Sequence, residues 1–281
     1  MGWFLGILGT GSNANSYVIQ DEQGVIMIDN GFSLRETQRR LKNFNLIPES
    51  VRAILLTHDH EDHTRGIASF QDNYHVPIYA PQGMQLLSSK QAPQTVYSLG
   101  LYKTFELVGF SIFGFSTFHD SGISAGYQIK SKRAALTLIT DTGQVDDTML
   151  HFAAQSDVLI LESNYSSELL WNGSYPLYLK ERVAHFHLSN NAAGKFLERL
   201  SRLNPKKLRE VVLVHLSDNN NTPQTALTEV KQCLQSSSWS KIPIHIAHDS
   251  EPKKPCGQPR IWVLPKKASW AYKLSPQGVP F

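Results

Sequence analysis

Three imidazoles and three carboxylates fill the six positions from His58 to His63, directly after the continuous apolar run VRAILLT (51–57). An apolar run of that length and kind reads as a strand buried on both faces. So much polarity at its end is either a solvated loop or a metal grip. On an extended segment, residues i and i+2 share a side, so His58 and His60 can point at one ion. The chain must then turn, which lets Asp62 and His63 face a second ion, while Asp59 and Glu61 alternate away. Imidazole and carboxylate both suit zinc, and two nearby ions need separate ligand sets. The H-x-H-x-D-H stretch therefore constrains the whole fold, because the remaining ligands must arrive from distant parts of the chain.

Candidates for those ligands share one pattern. VIMID ends at Asp29, SIFGFSTFH at His119, LTLITD at Asp141 and VVLVH at His215, each a His or Asp closing an apolar strand. Strand ends are where an α/β sheet gathers its chemistry. Isolated histidines such as His75, His151 and His245 read as ordinary surface or core residues.

Strand-like and helix-like runs alternate along residues 1–250. SYVIQ (16–20) and VIMID (25–29) read as a hairpin, and residues 33–44 as an amphipathic helix. FELVGFSIFGFSTF (105–118) reads as two strands broken at glycine. AGYQIKS (125–131) and RAALTLIT (133–140) form a second hairpin. VLILES (158–163), EVVLVHLS (210–217) and IPIHIA (242–247) are further strands. Ser189 caps a helix running to about Leu203. Thr222-Pro223 opens another, running to about Gln235. No apolar run reaches the roughly 18 residues that span a bilayer, and the apolar N-terminus lacks a basic leader. Cys233 and Cys256 lie in no C-x-x-C pattern, which suits a reducing cytoplasm. The expected organisation is one α/β domain over 1–250 and a basic tail over 251–281 that is partly disordered. That tail holds six of the 27 Lys/Arg and one of the 24 acids, so residues 1–250 carry a net −2.

THDHEDH, the strand-end Asp29, His119, TDTG at 141 and VHLS at 215 together resemble the metallo-β-lactamase superfamily. GSNANSYVI, HDSG, LESNY, YPLYLKERV, HLSNNAAG and HLSDNNNTP are similar to one bacterial group within it, the YycJ/WalJ-like nucleases. The resemblance implies a four-layer αββα sandwich with two divalent metal ions, Zn2+ or Mn2+, at one edge. Carried over residue by residue, it gives one ion His58, His60 and His119 and the other Asp62, His63 and His215, with Asp141 between them. Asp29 would orient ligands from outside the coordination sphere.

Two divalent ions against Asp62, Asp141 and a bridging hydroxide leave about one positive charge, so the open face would attract anions. Metals this close fit in-line attack on phosphorus and also serve an acyl carbonyl. HFHLSNNAAG places His187 just before the helix start at Ser189, and a helix N-terminus favours phosphate. His187 could then give a proton to a leaving alkoxide, with His185 a weaker rival. The expected catalytic set is His187, Asp62 and Asp29. Lys180, Arg182, Ser189 and Asn220 are the expected substrate contacts. The implied activity is a dinuclear phosphodiesterase acting on nucleic acid, a 5′-exonuclease of DNA or RNA, with no membrane partner. A thioesterase or other acyl hydrolase of the same fold, and a non-enzymatic metal-binding regulator, stand as alternatives.

Overall fold

Odd and even residues of the first strand face different neighbours. In β1 (Trp3–Gly9), Trp3, Leu5 and Ile7 enter one buried cluster, whereas Phe4 and Leu8 enter another. The strand Glu210–Val214 sends Val212 and Val214 to the first of these clusters, and Val211 and Leu213 to a third. Strands apolar on both sides need a sheet covered on both faces. Two such sheets sharing one central cluster make four layers, helix–sheet–sheet–helix.

The computed structural model describes residues 3–85, 93–203 and 208–248, and the backbone of 260–264. The first sheet contains β1, β2 (Ser16–Asp21), β3 (Gly24–Ile28), β4 (Val51–Leu55), β5 (Ile78–Pro81) and β6 (Val96–Leu99), in that order. The second runs from β7 (Thr104–Leu107) through β8 (Phe110–Ser116), β9 (Ala125–Lys130), β10 (Ala135–Ile139), β11 (Val158–Glu162) and β12 (Glu210–Val214) to β13 (Ile244–Ile246). Strands β3 to β6 are mutually parallel, as are β10 to β13. Parallel strands end on one side, so each sheet presents a single edge of carboxyl ends. Asp29 and Thr57 lie just beyond β3 and β4, and Asp141 and His215 just beyond β10 and β12.

Helices α1 (Leu34–Asn43), α2 (Glu61–Thr64) and α3 (Ile67–Tyr74) belong to the first half, where Leu41, Ile67 and Phe70 pack on Met27 and Ile54. The second half carries α4 (Asp147–Ala154), α5 (Ser167–Asn172), α6 (Leu177–Phe186), α7 (Asn190–Arg202) and α8 (Pro223–Leu234). Leu150, Leu197, Leu200 and Val230 cover its outer face. Side chains cap four of these helices: Ser33 accepts from the Glu36 N–H, Asp146 from Met149, Ser189 from Ala192 and Thr222 from Thr225. Each cap satisfies a backbone donor that the helix itself cannot.

Both expected hairpins form, with Tyr17 opposite Ile28 and Leu136 opposite Ile129. Residues 105–118 break at Val108–Gly109, where both residues take positive φ (51° and 77°). β1, β5, β6 and the helices α2 to α6 were not among the expected elements. The sequence reading drew its domain boundary at 250. Across that boundary, Arg260–Leu264 form β14, antiparallel to β1, from Trp3 opposite Leu264 to Ile7 opposite Arg260. IWVL (261–264) is a short strand-forming run that the surrounding Lys and Pro obscure. The rest of the expected tail lies outside the described residues. Among the described residues, no helix is long and apolar enough to cross a membrane.

Candidate metal centre

The turns after the strands aim the side chains. Asp29, Asp141 and His215 each follow a strand and each take a left-handed backbone, with φ of 54°, 52° and 56°. For residues with a Cβ this conformation costs on the order of 1–3 kcal/mol each, and such strain collects at functional sites. After β4 the chain bends at Thr57, and His60 then occupies the N-cap position of α2. Asp62 and His63 therefore fall in the first helical turn, where the His63 ring comes within 4.1 Å of the His58 ring.

Two groups result. The rings of His58, His60 and His119 form a near-equilateral triangle, with centroids 4.7, 4.8 and 4.9 Å apart. Nδ1 of His60 lies 3.1 Å from Nε2 of His119. In the second group, Asp62 Oδ2 lies 3.3 Å from His63 Nε2 and 3.6 Å from His215 Nε2. Asp141 stands between the groups. Its Oδ2 is 3.3 Å from His63 Nε2, and its Oδ1 is 3.5 Å from His215 Nε2 and 3.8 Å from His119 Nε2.

Two observations test whether these residues suit metal ions. Donor atoms at about 2.0–2.1 Å from a tetrahedral ion sit about 3.3–3.4 Å from one another, close to the separations here. His58 Nε2 and His215 Nε2, one in each group, are also buried without a hydrogen bond. An unpaired buried polar atom is costly, and a cation would satisfy both. The donor sets fit, three imidazoles in one and two imidazoles with a carboxylate in the other.

Outer partners hold the rings. Asp29 Oδ2 is 2.8 Å from His63 Nδ1, and the same carboxylate accepts the N–H and hydroxyl of Thr57 at 2.8 and 2.7 Å. His119 Nδ1–H donates to the Phe186 carbonyl at 3.0 Å. Gly143 N–H donates to the Phe118 carbonyl. A Cβ on Gly143 would overlap the His185 carbonyl, so only glycine lets the end of α6 close on this turn.

The sequence reading missed Glu162, which ends β11 and is fully buried. Its Oε1 takes His187 Nδ1 at 2.7 Å and His215 Nδ1 at 3.1 Å, and its Oε2 accepts the Thr142 N–H at 2.8 Å. The signal was present, since VLILE is another apolar strand closing on an acid. Glu162 adds a carboxylate to the expected charge count. His187 is partly exposed and stacks on His215 at 5.4 Å.

Charge divides the centre. Burial holds the His58 imidazole well below its ordinary value, helped by His63, and burial also lowers His119. Burial also works against a charged His63 and His215, but their carboxylates outweigh it. Asp62, Asp141 and Asp29 raise His63 well above its ordinary value. Asp141, Asp62 and Glu162 raise His215 to about 10. Burial opposes ionisation of Asp62 and Asp141 too, yet the adjacent imidazoles hold both well below the carboxylate range.

The expected substrate residues are placed differently from one another. Arg182, on α6, grips Asp120 Oδ2 at 2.7 Å, and Asp120 Oδ1 is 3.5 Å from His60 Nε2. Lys180 donates to the Trp171 carbonyl at 2.8 Å. The Ser189 hydroxyl serves as the α7 cap. Asn220 is 1% exposed, with its amide directed at Ser217 inside the loop.

A sequence profile of the β-lactamase superfamily domain matches residues 25–216. The exodeoxyribonuclease YycJ of Bacillus anthracis is 29% identical over 263 residues, which cover 91% of this chain and 98% of that protein. The exodeoxyribonuclease WalJ of Streptococcus pneumoniae is 30% identical over 246 residues, covering 84% of this chain and 90% of that one. Among solved structures, the metallo-β-lactamase fold protein YhfI from Bacillus subtilis superposes with a TM-score of 0.69 at 15% identity, covering 94% of this chain and all of that one. At that identity the match speaks to the fold alone.

Proposed function

The chain belongs to the metallo-β-lactamase superfamily of metal-dependent hydrolases, and from that membership and the geometry above we propose that it is a dinuclear phosphodiesterase acting on nucleic acid, a 5′-exonuclease of DNA in the cytoplasm. The observation that carries the reading is the meeting of two ligand groups at Asp141 with the Glu162–His187 pair beside them. Two relatives about 30% identical over most of the chain carry exodeoxyribonuclease names, which supports DNA over an acyl substrate.

Residues His58, His60 and His119 would hold one ion, and Asp62, His63 and His215 the other, with Asp141 shared; Zn2+ or Mn2+ suits both sets. Ions held there supply Lewis acidity and lower the pKa of water towards neutrality. The chain's own residues do the rest. Asp29 keeps His63 turned inward through Nδ1. Glu162 accepts the Nδ1–H of His187, which leaves Nε2 of that ring free to carry a proton to a leaving alkoxide. Arg182, braced by Asp120, presents an exposed guanidinium suited to a backbone phosphate. Lys180 adds a second positive charge on the same helix.

The test is to load the purified protein with Zn2+ or Mn2+ and offer 5′- and 3′-labelled single- and double-stranded DNA and RNA. The reading expects mononucleotides released from the 5′ end of DNA by wild type and not by His60→Ala. Equal behaviour of the two proteins, or no cleavage by either, refutes it. Turnover of a thioester panel without nucleic-acid cleavage would instead favour acyl hydrolysis.

A further inference from the structure

The second ligand group draws on both sheets. Asp62 and His63 follow β4 of the first sheet, and His215 follows β12 of the second. Their separation must be right to a fraction of an ångström if one ion is to take all three. The loop from Thr10 to Asn15, which joins β1 to β2, lies between them.

Thr10 and Asn15 are buried, at 1% and 0% exposure. The orientation of the Asn15 amide is set by its neighbours. Its Oδ1 accepts from the Thr10 hydroxyl at 2.8 Å and from the Gly11 N–H at 3.1 Å. Its Nδ2 donates to the Gly11 carbonyl and to Asp62 Oδ2, both at 3.1 Å, and lies 3.0 Å from His63 Nε2. Thr10 Oγ1 in turn accepts the His215 backbone N–H at 3.0 Å. The backbone closes the same connection, since Asn15 N–H donates to the Asp62 carbonyl at 2.8 Å and Gly31 N–H to the Asn15 carbonyl at 3.0 Å. A Cβ on Gly31 would overlap that Asp62 carbonyl, so the approach depends on glycine.

We propose that Thr10 and Asn15 form a strut, running from the Asp62 carboxylate to the His215 backbone, that sets the spacing of the second ligand group and so the affinity of that group for its ion. The inference rests on the dinuclear reading above. The residue chemistry fits the task. A carboxamide donates to Asp62 without bringing a charge that would compete with a cation, as a lysine or arginine would. The Thr10 hydroxyl can accept from one sheet and donate to the other in the same step. These are positioning residues, outside the coordination sphere and away from the reacting atoms. The His58, His60 and His119 group has no bond to either of them among the described contacts.

The test uses the full chain and Zn2+ alone, titrated against a competing chelator, with thermal unfolding of the metal-free protein alongside. Thr10→Val is nearly isosteric and cuts the strut, Thr10→Ser restores the hydroxyl, and Asn15→Ala removes the amide. Thr10→Val and Asn15→Ala should lose about 10–100-fold in affinity for one of two ions, the usual scale for an outer partner, with the other within about threefold. The weakened ion should be the one that His215→Ala also loses, and Thr10→Ser should behave as wild type. If Asn15→Ala does not fold, the Thr10→Val and Thr10→Ser pair decides. Unchanged affinities, or an equal weakening of both ions that tracks a lowered unfolding temperature, overturn the proposal. Wild type binding two ions with Thr10→Val unchanged sinks the strut alone. Wild type binding a single ion sinks the dinuclear reading and the strut with it.

Discussion

The two halves of the centre reach the same readiness for a cation from opposite electrostatic positions. Around His58 and His119, burial outweighs the nearby carboxylates, even with Asp120 and Asp141 at 3.4 and 3.8 Å from His119, and lowers both imidazoles, which leaves lone pairs available. Around His63 and His215, three carboxylates each hold the rings protonated, so a cation must displace protons before it can bind. One half is a set of ready donors. The other is an internal ion-pair network that stands in for the metal's charge. Asp141 touches both, so the halves are not independent.

The largest effect should come from removing that shared residue. Asp141→Asn keeps the volume but halves the oxygen donors between the groups. It should weaken both ions and lower kcat/KM by more than the roughly hundredfold seen for outer partners; retention of both ions would break the link between the halves. Next in size is proton release. Calorimetry of Zn2+ binding near pH 7 in buffers of different ionisation enthalpy should show proton release on filling the Asp62, His63 and His215 group and little on filling the other. His215→Ala should remove about one proton from the total.

A smaller effect concerns stability. The folded pKa of His215 is raised from 6.5 to about 10, so its contribution to the metal-free protein is complete below 6.5 and disappears as pH climbs through about 10. The unfolding temperature of chelator-treated wild type should therefore fall over that window, and that of His215→Ala should fall less. An identical pH profile for the two proteins would show that the network does not stabilise the fold. Smallest is Arg182→Gln. It breaks an exposed ion pair, so stability should change by less than about 1 kcal/mol. KM for DNA should rise several-fold with kcat nearly unchanged.

Much of the fold was legible because local patterns and tertiary demands agree. Continuous apolar runs became the buried strands β4, β11 and β12, and Ser189 and Thr222-Pro223 opened helices where capping chemistry requires. The His and Asp residues at strand ends led to seven side chains that converge in the structure. Three groups went unread. Glu162 was passed over because only His and Asp were sought at strand ends. Asn15 and Thr10 carry no ligand chemistry of their own, and their meaning appears only when two sheets are brought together. α6 has no buried residue, so no strong apolar periodicity announced it, and its Arg182–Asp120 pair spans 62 positions of chain.

The most direct test of the account is diffraction from crystals of the Zn2+-loaded protein, with data collected on either side of the zinc absorption edge. The account predicts two anomalous peaks, one enclosed by His58, His60 and His119 and one by Asp62, His63 and His215, with the Asp141 carboxylate reaching both. A single peak, or zinc bound away from these side chains, would contradict it.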